Sequence, residues 1–160
     1  LLSLKTTFEL NELSVIPKGL SSQAGAKNIF FDFSGSGGAG YDLSEKSQHA
    51  MTQVTTLDEF FSSLETKIRF IKCDVETHEY EVFQGGINLL QNHYPMLLIE
   101  ICEDRIKSGG LTNLLFDLGY KGYFIHQGSK LDFNVALKTP YRKKSQCCRN
   151  YFFEHKSHSS

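Results

Sequence analysis

Asp74, Glu76, His78 and Glu79 crowd three carboxylates and an imidazole into one short stretch of the chain. They follow directly on Ile68-Arg69-Phe70-Ile71-Lys72-Cys73, a run rich in β-forming side chains, and a helix-forming pattern begins at once behind them. Carboxylates set this close repel one another unless a cation, a helix terminus or solvent compensates. Asp74 abuts the buried run and is expected to face a crevice at the carboxyl end of a strand, where open α/β sheets place their chemistry. The plainer alternative applies to its neighbours: Glu79 caps its own helix and Glu76 is solvated.

Two other constellations compete. Gly35-Ser36-Gly37-Gly38-Ala39-Gly40 matches the phosphate-cradling G-x-G-x-x-G letter for letter. That chemistry needs a helix opening at the third glycine, and Tyr41 to Gln48 carries no apolar stripe, so a flexible loop is expected. Cys147, Cys148, His155 and His158 could be drawn as a zinc site, but structural zinc sites space paired cysteines two to four residues apart. An ordinary loop and tail are expected there, and no metal.

The surrounding pattern must position these residues. Leu1, Leu4 and Phe8 recur near helical spacing, so residues 1 to 13 read as the end of an amphipathic helix. Strands are expected at 14–20, interrupted by Pro17, and at 28–33, then a Gly/Ser-rich loop over 34–49 and a short β segment at 53–56. A helix over 57–64 starts at a Thr55 or Thr56 cap. The central strand covers 68–75, and a helix from 78 to 92 buries Phe83, Ile87 and Leu90. Gly85-Gly86 inside it costs on the order of 1 kcal/mol per residue relative to alanine, which close approach to a neighbour would explain. Pro95 opens a strand over 96–102 that ends in further acids, and the helix over 111–118 stops at Gly119. Strands at 123–125 and 150–154 follow, joined by a solvated basic loop. The alternation predicts an α/β domain with a mostly parallel sheet and helices on both faces.

Composition narrows the function classes. The 17 basic and 18 acidic residues leave a net charge of −1, so no field draws in nucleic acid. No apolar run reaches the ~20 residues that span a bilayer. The four cysteines form no disulfide framework, so a reducing, cytoplasmic setting is expected. A single domain over 1–160 accommodates the chain.

Several motifs, in order, resemble one family. Lys72-Cys73-Asp74-Val75-Glu76-Thr77-His78-Glu79, then Glu81 to Gly86, then Pro95 to Glu100 are similar to the K-I-D-V-E-G-x-E, L-x-G and P-x-x-x-x-E segments of FkbM-type methyltransferases. Thr55-Thr56-Leu57-Asp58, Leu118-Gly119-Tyr120 and the approach from Asn11 to Ser21 fit the same pattern, over roughly residues 8 to 127. The resemblance implies a Rossmann-like fold using S-adenosylmethionine to methylate a hydroxyl of a small molecule or glycan. Asp74 would lie beside the methionine end of the cofactor, Leu20 and Ser21 beside its adenine, and Glu76 or His78 would take the acceptor's proton. Thr77 replaces the family's glycine in a turn that needs positive φ. The family's first two strands, with the glycine-rich turn, would precede Leu1, so an N-terminally truncated domain is expected. A non-catalytic remnant serving as a binding or scaffold module is the alternative.

Overall fold

The computed structural model describes residues 12–31, 39–40, 48–63, 65–136, 138 and 148–158. The expected N-terminal helix and most of the glycine loop therefore lie outside the described residues. The first part of the chain contributes β1 (Gly19–Leu20), β2 (Gly25–Phe31), β3 (Ala39–Gly40), β4 (Gln48–Thr55) and α1 (Leu57–Phe60). Then come β5 (Phe70–Cys73), α2 (Glu79–Gln84), α3 (Ile87–His93), β6 (Met96–Cys102), α4 (Glu103–Ser108) and α5 (Gly110–Asp117). The last part holds β7 (Tyr120–His126), β8 (Ser129–Asp132), α6 (Phe133–Ala136) and β9 (Cys148–His155).

Among the described residues two sheets form, ordered β1-β4-β2-β3 and β5-β6-β9-β7-β8. Only β1·β4 and β5·β6 run parallel; the other neighbours are antiparallel. The expectation of a mostly parallel sheet is thereby corrected to a mixed one. Hairpin partners β2/β4 and β7/β8 need no crossover helix, and β9 inserts between β6 and β7 in the opposite sense.

Helices on both faces are also not what the described residues show. Along β6 the burial alternates: Leu97, Ile99 and Ile101 are sealed, while Leu98 and Glu100 are half-buried. The sealed face joins Tyr151 and Phe153 of β9, Tyr120 and Phe124 of β7, and residues of α1 to α6 in one hydrophobic cluster: Leu57, Val82, Phe83, Leu89, Leu90, Ile106, Leu111, Leu115 and Phe133. The opposite face carries Tyr123 stacked on Phe152 at 5.2 Å, with Lys130 over the Tyr123 ring. One period-2 strand face is thus buried and the other half-solvated, as mixed sheets permit.

Local capping explains several boundaries. Thr56 caps α1, its hydroxyl accepting from the Glu59 amide at 2.9 Å. The expected long helix breaks at Gly85-Gly86 into α2 and α3. Both glycines are pressed against neighbours: a Cβ on Gly85 would sit 2.3 Å from the Ser21 carbonyl oxygen, and one on Gly86 2.8 Å from Leu57 Cδ1. Asp58 caps α3, accepting from the amides of Asn88 and Leu89 at 3.2 and 2.8 Å. Gly119 closes α5 with φ +88°.

The reading of the cysteines needs correction. Cys102 and Cys148 face each other at the end of the β6/β9 ladder and are joined by a disulfide. The ladder register, invisible in the spacing, brings together two cysteines 46 positions apart. That bond also removes Cys148 from the imagined zinc set, and His155 is stacked on Tyr94 at 4.1 Å. Cys147 lies outside the described residues. Among the described residues, no group of three metal-ligating side chains is placed to hold an ion, and no helix is long and apolar enough to cross a membrane.

Candidate functional site

The site is built where β5 ends. Cys73 is the last ladder residue and faces the core, where burial pushes its thiol up to about 12. The next residue, Asp74, turns out at the rim, two-fifths exposed, and takes Lys72 Nζ at 2.6 Å. Pairing of Cys73 with Ile99 sets Asp74 beside Glu100 on the adjoining strand, where the two carboxyl groups influence each other. The Lys72 hydrogen bond holds the Asp74 carboxyl below its ordinary range, more than burial raises it. Glu100 is pushed the other way, by burial first and by Asp74 second. One of the pair therefore stays ionised while its neighbour holds a proton more readily.

Beyond Asp74 the backbone makes a tight turn with Glu76 and Thr77 at φ 50° and 77°. A positive φ at a β-branched residue is rare and costs on the order of 1 kcal/mol or more. The turn that glycine would suit is thus adopted by Thr77 all the same. What holds it is Glu79, whose Oε1 accepts from the amides of Thr77 at 3.2 Å and Val75 at 3.4 Å. Glu79 itself is buried, and that burial raises its carboxyl above the ordinary range against the pull of those amides. Of the alternatives open from sequence, Glu76 is exposed at the tip and Glu79 is a backbone clamp.

His78 and Ser21 come together across the two sheets. Ser21 Oγ lies 3.1 Å from His78 Nε2, and Lys27 Nζ donates to the same oxygen at 2.7 Å. On the other side of the ring, Nδ1 is 3.5 Å from Glu81 Oε2, an electrostatic contact rather than a tight hydrogen bond. Serine, imidazole and carboxylate in a row imitate a nucleophilic triad, but Ser21 has no exposed surface, so no substrate carbonyl reaches its oxygen. Leu20, the preceding residue, lines a largely apolar hollow of about 300 Å³ with Ile16, Thr55, Phe60 and Phe61. A smaller hollow of about 120 Å³ adjoins the acidic turn, with Thr77, Glu81, Arg105 and Ser108 on its walls.

The structure thus draws Ser21 to His78 and Asp74 to Glu100, while Leu20 sits over a separate hollow. Lys72, Glu100 and Glu81 have roles at the site that spacing alone does not reveal: Glu100 is hidden inside an apolar strand, and only the β5/β6 register sets it beside Asp74. Of the glycine-rich segment, Ala39-Gly40 is a short strand paired antiparallel with Phe30-Phe31 rather than loop.

A mixed α/β arrangement whose parallel strand pair ends in an acidic rim is consistent with a methyltransferase-like fold. The family described as the methyltransferase FkbM domain matches residues 3–121, and the chain belongs to that family. No curated protein and no solved structure matches the chain.

Proposed function

We propose that the chain serves S-adenosylmethionine-dependent methyl transfer to a hydroxyl of a small molecule or glycan. The observation that carries this reading is the Asp74 carboxylate, held by Lys72 at the rim just beyond the carboxyl end of β5. Two features support a fit to the cofactor. An anionic rim favours a sulfonium and an ammonium group, and the apolar hollow beside Leu20 suits a purine. Bound there, the cofactor supplies an electrophilic methyl group.

The chain's own residues then divide the work. Asp74 holds positive charge close to the acceptor and keeps its orientation through Lys72. Glu76, exposed at the turn tip, is the group in this proposal that accepts the hydroxyl proton. His78, which the resemblance offered for the same task, is buried with Nε2 held against Ser21 and acts as a support. Leu20 borders the base, and Ser21, with no exposed surface, supports it from behind.

The test is calorimetric titration of the chain with S-adenosylmethionine, beside Asp74→Ala. Binding by the native chain, lost or weakened at least tenfold in the variant, is the expected result. Equal affinity in both removes Asp74 from the site. No heat and no thermal shift in either leaves the sheet as a binding or scaffold module.

A further inference from the structure

We propose that His78 is a positioning residue that ties the acidic turn to the cofactor edge through Ser21, so that the two halves of the site move as one. The proposal rests on the methyl-transfer reading above.

The first observation is connectivity. Ser21 belongs to the segment that leaves β1, and His78 sits between the turn and α2. Their hydrogen bond at 3.1 Å joins residues 57 positions apart, both buried. Ser21 is held from three sides: its amide donates to Thr55 O at 3.0 Å, Lys27 donates to its hydroxyl, and Gly85 packs against its carbonyl. It is an anchored post, not a mobile rotor.

The second observation is the geometry that the post supports. Two consecutive left-handed residues precede His78, and the amides around them are held by Glu79, the next residue along. The imidazole is thus the point at which a strained turn is fastened to the neighbouring sheet. Asp74 and Glu76 project from that turn and the strand end before it. A reacting group displaced by about 1 Å can lose on the order of a hundredfold in rate, so fastening of this kind matters at an acceptor site. Burial excludes water from the Ser21–His78 bond, which keeps it from exchanging partners.

The arrangement also has a direction. Leu20, immediately before the post, lines the apolar hollow, so a ligand that shifts the Leu20–Ser21 backbone pulls on the ring and through it on Thr77. Filling the hollow is expected to be felt at the acidic turn.

The test uses the full chain, Ser21→Ala, Ser21→Thr, and Leu131→Ala as a control on β8, at the opposite edge of the sheet from β5. Amide exchange at Val75 and Thr77 is measured by NMR, first alone and then with S-adenosylmethionine. Relative to global unfolding, exchange at both amides is expected to quicken about tenfold in Ser21→Ala, roughly the worth of one such hydrogen bond. Ser21→Thr is expected to restore it and Leu131→Ala to leave it unchanged. With the cofactor, the Thr77 resonance is expected to move in the native chain and not in Ser21→Ala, although affinity stays within about threefold. Unchanged exchange in Ser21→Ala, or an equal Thr77 response in both proteins, overturns the proposal. If the native chain binds no cofactor, the methyl-transfer reading falls. The exchange arm still decides the joint: quickening with threonine rescue upholds the fastening, and no quickening removes it.

Discussion

Replacing Gly85 by alanine sets two opposed magnitudes against each other. In a helix, alanine is preferred over glycine by up to about 1 kcal/mol, and Gly85 closes α2 with φ −79°, a conformation alanine accepts. Against that gain stands a Cβ only 2.3 Å from Ser21 O and 3.2 Å from Ser22 Cα. Ordinary contact requires that gap to open by about 1 Å. Neither side yields easily: Ser21 is tied to Thr55, Lys27 and His78, while the Gly85 carbonyl accepts from Asp58 N at 2.9 Å. Overpacking of this kind costs about 1–3 kcal/mol, and loosening the Ser21–His78 bond adds about 1 kcal/mol. The clash wins, and the expected loss is about 2 kcal/mol, or a fall in Tm of about 6 °C for a domain of this size. Urea unfolding measures it as a lower midpoint at unchanged slope. Gly86→Ala is the internal comparison, because the atom it meets most closely is the mobile tip of Leu57; about half the loss is expected there. A Gly85→Ala protein as stable as the native one, or more stable than Gly86→Ala, would refute the reasoning.

Thr77→Gly releases a β-branched residue from φ 77° and is expected to raise stability by about 1 kcal/mol in the same assay; a loss would show that the threonine makes contacts worth more than its strain. Cleaving the Cys102–Cys148 disulfide, which joins residues 46 apart, is expected to lower stability by about 4 kcal/mol on the chain-entropy scale. Unfolding with and without a dithiol reads the change, and peptide mapping that finds both thiols free in the unreduced protein contradicts it. His155 is buried, and burial lowers its pKa below the ordinary value. The unfolded chain therefore binds the proton more readily, so this contribution is full above about pH 6.5 and fades as pH falls through the folded value. A His155→Phe protein should lose that part of the decline in midpoint between neutral and mildly acidic pH; an identical decline would assign it elsewhere.

How much of this was legible in the sequence depends on the range of the interaction. The strand from Phe70, the Thr56 cap and the stop at Gly119 rest on neighbours close in the chain, and local pattern exposes them; the glycine pair signals a close approach, but not that its partners are Ser21 and Leu57. The positive φ at Thr77 belongs with these, since the family's turn demands it. Strand order was not legible. The antiparallel insertion of β9 and the pairing of Cys102 with Cys148 depend on register between segments far apart, on which spacing is silent. α4 was missed for a different reason: Glu103 and Asp104 read as the acidic end of a strand, and the turn into a helix is set by Ile106 reaching the core. The Ser21–His78 joint is the farthest from local pattern, because nothing in a serine or a histidine announces its partner across two sheets.

One edge of the larger sheet has a practical consequence. Among the described residues, no strand pairs with the outer side of β5, and Phe70 there is half-exposed. A strand edge next to an exposed aromatic ring is a seam onto which a foreign extended segment can zip, and Lys72 is the one charged side chain within β5 that opposes it. Concentrated or warmed samples of this chain should therefore cloud first through that seam, sooner in high salt, where the lysine is screened.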